Sequence, residues 1–511
     1  MSGTAPGGTA ATPSDIDYGD VQGVVRFGYK RMTEASYALV RVRHAGAARA
    51  WLRAAPIASA LALDPPPTTA IQVAFTAAGL GALGIPASVL AGFSPEFLAG
   101  MTEDDRSRRL GDVGTNAPSR WEWGGSADVP HLMVMFLAEP GRLDAWVQGA
   151  AGDAWTDAFE VLRVLHTSNC DEVEPFGFAD GISQPQIDWS QQRDVSTSLI
   201  GRGNVDYSNV TALGEFLLGY RNEYGKYTDR PVLDADADSA GLPAAEDAPE
   251  KRDLGRNGTY LVMRQLAQDV RTFWQFIYRQ AGGDPAKADR LAAALVGRTR
   301  TGDPLVPIQE QAIPGVGPQP DQIRLNQFTF DRDPAGVACP FGAHVRRANP
   351  RNTDYPGRPT GLARLVASLG LGRTDVREDL MSSVRFHRIL RRGREYGPGL
   401  SLEDALNPAP PDEQERGLHF MCLNANISRQ FEFLQGAWMM STKFSGLTGE
   451  SDPLLGNREG IPGCPVTDTF VMPQEDGVRR RVSALPQFVT VRGGAYFFLP
   501  GLRALRYLAM E

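Results

Sequence analysis

Short apolar runs alternate along this chain with stretches of helical spacing, and that alternation most narrows what it can fold into. Residues 70–75, 131–137, 258–264, 417–423 and 494–499 are apolar runs of strand length. Residues 45–60, 144–164, 265–279 and 427–440 place their apolar side chains at helical spacing, as does the closing stretch 501–510. Pieces at 24–29 and 37–42 fit either strand or helix. Ser94-Pro95-Glu96 and Asp284-Pro285 each read as a helix start, an N-cap with Pro at the first helical position, and Gly297 closes the second. Strands and helices interleaved in this way imply an α+β fold. The pattern returns in the second half without a visible sequence repeat. Two α+β domains are therefore expected, over residues 17–205 and 206–511, with the boundary near 190–210 and a disordered tail over 1–16. Residues 103–128 and the acidic, Ala- and Pro-rich stretch 231–256 read as loops.

Composition narrows the function classes. With 42% hydrophobic and 22% charged residues, the 511-residue chain is an ordinary globular one. A net charge of -8, with no Lys/Arg-rich run, argues against nucleic acid as a partner. The uncharged stretch between Asp64 and Glu96 is long enough to span a bilayer. It is rich in Gly, Ala and Thr and broken by Pro65, Pro66, Pro67 and Pro86, so no membrane is expected. No Lys or Arg precedes Arg26 and no apolar block opens the chain, so a cytoplasmic protein is expected. Cys170, Cys339, Cys422 and Cys464 are far apart with no CxxC pair, which fits reduced thiols.

Six histidines can be judged one by one. His344 stands in Ala338-Cys-Pro-Phe-Gly-Ala-His344-Val-Arg-Arg-Ala-Asn-Pro350-Arg351. Gly342-Ala343 leaves room for a bulky planar group. Arg346, Arg347 and Arg351 follow closely, and Pro350 breaks the segment so that they can fan out. Imidazole ligates haem iron and haem propionates need cations, so this segment fits haem; a lone histidine is otherwise a structural residue. Gly177-Phe-Ala-Asp180-Gly181 suits a tight turn that aims a carboxylate into a cavity, or an ordinary Asp-Gly turn. Arg391-Arg392-Gly393 offers a permanent cation with several donors, or a basic strand end.

Together these stretches resemble the dye-decolorizing peroxidase family in its longer form, over nearly the whole chain. Asp20-Val-Gln-Gly23 resembles its opening motif, and Gly177-Phe-Ala-Asp180-Gly181 is its GxxDG signature. Gly214-Glu-Phe-Leu-Leu-Gly-Tyr220, Leu254-Gly-Arg-Asn-Gly-Thr-Tyr260, Cys339 to Arg351, Gln430-Phe-Glu-Phe433 and Val491-Arg-Gly-Gly494 follow in the family's order. The resemblance implies two ferredoxin-like α+β domains of the dimeric α+β barrel type, with one haem b per chain held mainly by the C-terminal domain. It implies His344 as the proximal iron ligand, Asp180 as the distal acid and base, and Arg392 as the distal arginine, with Arg391 the nearest competitor. Glu432 is the candidate carboxylate partner of His344, and Arg346, Arg347 and Arg351 are the propionate candidates.

The implied activity is reduction of hydrogen peroxide coupled to one-electron oxidation of dyes or small aromatic reductants, with an acidic optimum set by a carboxylate base. Tyr396 and Trp438 could relay electrons, although each reads first as core packing. Iron release from haem and a non-catalytic haem carrier or sensor are the alternatives. A carrier would need neither Asp180 nor the distal arginine. Cys339-Pro340 and Cys464-Pro465 read as turns, and His131 and His419 as core residues in apolar strands. A homo-oligomer is compatible with the sequence, and nothing in it sets the oligomeric state.

Overall fold

The structure is a computed structural model that describes residues 16–510, apart from 126–127, 170–172, 193–208, 309–320, 331, 352–382, 408–413 and 461–465. The expected tail, Cys170, Cys464 and most of the expected domain boundary lie outside the described residues.

Nine strands form one sheet: β1 (Glu34–Val42), β2 (Thr69–Phe75), β3 (Leu132–Ala138), β4 (Phe159–His166), β5 (Thr259–Gln268), β6 (Leu390–Arg391), β7 (Arg394–Tyr396), β8 (Gly417–Asn424) and β9 (Val489–Leu499). Their order is β6-β8-β5-β9-β2-β3-β1-β4, with β7 also paired to β8. Every neighbouring pair is antiparallel. The helices that matter here are α1 (Ala45–Ala54), α2 (Leu143–Ala151), α3 (Ala154–Ala158), α4 (Val270–Gln280), α5 (Pro285–Val296), α6 (His344–Ala348) and α7 (Leu502–Met510). Two π-helical stretches, Ser428–Glu432 and Leu434–Met440, lie between β8 and β9.

The sheet resolves into two units of one topology. In β1–β4 the first and third strands are central, with the fourth beside the first and the second beside the third. In β5–β9 the same order holds when β6 and β7 together count as the second strand. With α1 and α2–α3 in one unit, and α4 and the π-helical stretches in the other, each is a ferredoxin-like β-α-β-β-α-β unit. The units meet where β2 pairs with β9 at Phe75 and Phe498.

Period-two alternation gives each strand two faces. On one, Tyr37, Met133, Met135, Leu261, Met263, Leu423 and Phe497 are covered by Leu213, Phe216, Leu217 and Tyr220. On the other, Val40, Val73, Val134, Val262 and Tyr496 pack under the helices. In the N-terminal unit this second face is closed by Trp51, Phe136, Trp155 and Phe159. The ring of Trp155 lies 5.1 Å from Trp51 and 4.9 Å from Phe159, both edge-on. Such pairs contribute about 0.5–1.5 kcal/mol beyond burial.

Several sequence expectations change. Residues 144–164 are not one helix: α2 and α3 end at Ala158, and Phe159–His166 is an edge strand. Its side chains between the buried Phe159 and Leu165 are largely solvated, so it lacks the apolar run that marked the others. Residues 265–268 extend β5, and the next helix starts only after Asp269, whose side chain caps Thr272 N. Residues 231–256 fold into a small sheet of Val232–Asp234, Ala244–Ala245 and Ala248–Asp253. Among the described residues, no helix is long and apolar enough to cross a membrane.

Candidate functional site

A cavity of about 280 Å³ lies against the second sheet face of the C-terminal unit. Arg264, Leu266 and Gln268 of β5, Arg391 of β6, and Leu418 and Phe420 of β8 border it. So do Asp180 and His344, and an apolar wall that includes Phe178, Ile182, Phe431 and Leu434.

His344 opens α6 directly after the buried Ala343. Its Nδ1 donates to Asp452 Oδ2 at 3.0 Å. Asp452 is fully buried, and its other oxygen accepts from Leu454 N at 2.9 Å and Leu455 N at 2.8 Å. Burial pushes the Asp452 carboxyl up, but the His344 charge and hydrogen bond, together with the Leu455 amide, hold it below its usual range. Burial pushes His344 down, and Asp452 more than reverses this, so the imidazole sits above its ordinary value. With Nδ1 held by a carboxylate, Nε2 is the nitrogen left for a ligand. A carboxylate on the far nitrogen fixes the tautomer and makes the imidazole a stronger donor.

Asp180 sits in a loop whose flanking glycines, Gly177 and Gly181, have φ of 92° and 77°, a region open to glycine and strained for other residues. Its Oδ1 accepts from Arg391 Nη1 at 2.8 Å. Burial raises the Asp180 pKa, but Arg391, the Gly181 amide and the His344 charge outweigh it and hold the carboxyl below its usual range. Gln184 ties this loop to β6. Its Nε2 donates to Arg391 O at 3.0 Å and its Oε1 accepts from Arg391 N at 3.1 Å.

His344, Asp180 and Arg391 lie deep in the fold, yet 29%, 34% and 29% of their side chains stay accessible because they face the cavity. His344 and Asp180 border the same cavity and feel each other's charge, with no hydrogen bond between them. Among the described residues, no three of His, Cys, Asp and Glu gather as a metal site.

Three sequence assignments are corrected. Arg392 does not face the cavity: its Nε donates to Val24 O at 2.7 Å and its Nη2 to Val25 O at 3.0 Å. The reason is strand parity. Arg391 pairs with Cys422 and shares its face with Phe420 and Leu418, whereas Leu390 lies on the opposite face with Leu423. Glu432 is not the partner of His344. It takes ion pairing from Arg106 and a hydrogen bond from Tyr496 Oη at 2.8 Å.

Arg346, Arg347 and Arg351 are buried and turned to protein acceptors. They bond Asp333 and Cys339 O, Trp438 O and Glu450 O, and Asn326 and Phe328 O, respectively, and none borders the cavity. The cations that do border it, besides Arg391, are Arg264, Arg298 and Arg388. Asp452 was missed altogether. Its only local signal is Asp452-Pro453, a turn-starting pair. Tyr396 and Trp438 are both buried.

The chain is similar to known proteins along most of its length. It is 28% identical to Peroxidase 2 of Mycetinis scorodonius over 98% of this chain and 88% of that protein. It is 29% identical to the Multifunctional dye peroxidase DyP2 of an Amycolatopsis species, over 86% of this chain and 82% of that one. The solved decolorizing peroxidase of Auricularia auricula-judae superposes with a TM-score of 0.69 at 24% identity, covering 97% of this chain and all of the other. No protein-family model matches the chain.

Proposed function

We propose that this chain, which belongs to the dye-decolorizing peroxidase family, works through His344, Asp180 and Arg391 as a haem peroxidase that reduces hydrogen peroxide and oxidises dyes and small aromatic reductants. One observation carries the reading of the site: an imidazole held by a buried carboxylate and an Asp–Arg pair border one largely apolar cavity. The residues fit a haem. His344, with Nδ1 engaged by Asp452, would hold the iron through Nε2, and with no other ligating side chains gathered there among the described residues the remaining donors would come from a macrocycle. The walls are largely apolar, and Arg298 and Arg388, which border the cavity where Arg346, Arg347 and Arg351 do not, are the propionate candidates, each also held by protein acceptors, Gly302 O and Ser183 Oγ for Arg298 and Thr211 Oγ1 for Arg388. The proposal is one haem b per chain. A relative from the same fold was solved with 2,6-dimethoxyphenol, which makes phenols the first reductants to try.

Bound haem supplies the redox chemistry that takes two electrons to peroxide and recovers them singly from the reductant. The protein supplies the proton transfer and the field. Hydrogen peroxide must lose a proton from one oxygen and gain one on the oxygen that leaves. Asp180, within reach of the cavity and ionised down to acidic pH, takes the first proton and returns it to the second oxygen. Arg391 holds Asp180 in place and offers donors to the charge on the departing oxygen. Asp452 keeps His344 oriented. A haem carrier or sensor needs neither Asp180 nor Arg391.

The test is the absorption spectrum of the haem-loaded protein before and after one equivalent of peroxide. A Soret band that shifts and then returns on adding a dye supports the reading. Bleaching without return favours iron release or carriage, and the absence of a Soret band removes the cofactor assignment.

A further inference from the structure

We propose that Glu174 is a positioning residue for Asp180: its carboxyl fixes the loop that carries Asp180 and ties it through Gln268 to the central strand β5. The inference rests on the peroxidase reading above.

Glu174 borders the cavity, yet no step of the mechanism uses it. Its two oxygens are spent inside the loop. Oε2 accepts from Phe176 N at 3.0 Å and Oε1 from Phe178 N at 3.0 Å. The main chain closes the same turn, with Glu174 N donating to Phe178 O at 2.9 Å and Gly177 N to Glu174 O at 2.7 Å. Gln268 Nε2, at the end of β5, donates to Glu174 Oε2 at 2.8 Å. Two further anchors hold the outer side of the loop. Trp274 Nε1 of α4 donates to Phe176 O at 3.0 Å, and Arg300 Nε donates to Gly177 O at 3.3 Å. The carboxyl of Glu174 thus anchors the loop to β5 from the N-terminal side of Asp180, as Gln184 anchors it to β6 from the C-terminal side. Without it, two amide donors beside buried phenylalanines lose their acceptor, and a buried donor left unmet is expensive.

The clamp is also electrically coupled to what it holds. Burial pushes the Glu174 carboxyl up to about 7, against Gln268 and the two amides, and the Asp180 charge adds to the rise. Asp180 is its titratable neighbour in the loop, while Arg264, Arg298 and Arg391 border the same cavity from β5, the turn after α5 and β6. Near neutral pH, ionisation of Glu174 therefore adds a negative charge beside the catalytic carboxylate and raises its proton affinity.

The test compares wild type, Glu174→Ala and Glu174→Gln as full-length, haem-loaded proteins. Hydrogen exchange at the Phe176 and Phe178 amides is one readout; the rate with peroxide across pH and the KM for a dye are the others. The expected Glu174→Ala result is faster exchange at both amides and a peroxide rate lower by on the order of 10–100-fold, with the Soret band and the dye KM unchanged. Glu174→Gln keeps an acceptor for only one of the two amides and turns an NH2 donor towards the other, so it is expected to keep one amide protected, to recover part of the rate, and to lose the inflection near pH 7.

Unchanged exchange in Glu174→Ala, or faster exchange with a wild-type peroxide rate, overturns the role. If Glu174→Ala does not fold, Glu174→Gln decides alone: faster exchange at one of the two amides together with a lowered peroxide rate supports the proposal, and wild-type exchange with a wild-type rate overturns it. A wild type inert to peroxide removes the peroxidase reading and this proposal with it, whereas a reactive wild type matched by its variants removes only the latter.

Discussion

In the N-terminal unit, the sheet face beneath the helices is closed by Phe136 and by Trp51, Trp155 and Phe159, the last three in mutual edge contact. In the C-terminal unit, the matching face carries Arg264, Gln268, Arg391 and Phe420 and opens on a cavity. Strand order is the same in both. What differs is the side chains on one face and the lengths of the connectors, above all the one from the first helix to the second strand. Residues 55–68 join helix to second strand in the first unit, and residues 281–389, which include His344, do so in the second. One topology thus serves as a filled core in one place and as the wall of a site in another, so function here resides in the grafted residues.

The largest effects should separate the two faces. His344→Ala is expected to abolish haem retention, read as loss of the Soret band after desalting. Trp155→Ala should keep that band while lowering the unfolding free energy by about 3–5 kcal/mol in urea. A Trp155 variant that also loses haem would break the division of labour. Within the cavity, Asp180→Asn and Arg391→Leu should each slow the stopped-flow reaction with peroxide by on the order of 10²–10³-fold. Arg392→Leu should cost less than about tenfold, because its guanidinium is bound to Val24 O and Val25 O. The reverse order would return the distal role to Arg392.

The seam between the units offers a pH test. His419 of β8 is fully buried, donates through Nε2 to His166 O of β4 at 3.0 Å and stacks on Tyr396. Burial pushes its pKa down to about 4. The folded state therefore keeps His419 neutral while the unfolded chain takes up a proton below about 6.5. Its contribution to stability is whole above pH 6.5 and is lost as pH falls towards 4. In urea titrations over that range, His419→Gln should show a shallower fall than wild type, by up to about 3 kcal/mol. Parallel curves would mean that the seam does not sense pH through His419. A moderate effect is expected behind the imidazole: Asp452→Asn should weaken haem retention or turnover by about 10–100-fold.

How much of this was legible follows the range of each interaction. The central strands could be read because burial on both faces makes them apolar runs. β4 was mistaken for helix because an edge strand keeps only Phe159 and Leu165 buried. The Asp180 turn was legible from its glycines. Arg391 and Arg392 could not be separated, since alternation says that one arginine faces inward and only pairing with Cys422 says which. Asp452 lies 108 residues from His344 and nothing local announces their contact. Arg346 was assigned to an external anion, but Asp333 and Cys339 O had already claimed it, a competition visible only in three dimensions.

The long connector of the second unit has a consequence in chain statistics. Closing a loop costs entropy that grows only with the logarithm of its length. Stretching the link from the span 55–68 to the span 281–389 adds about 2 kcal/mol by that scaling, less than the expected loss from truncating the single tryptophan Trp155. A ferredoxin-like unit can therefore take on a length of chain comparable to a small domain, with the cavity-lining His344 in it, for less free energy than one core residue supplies.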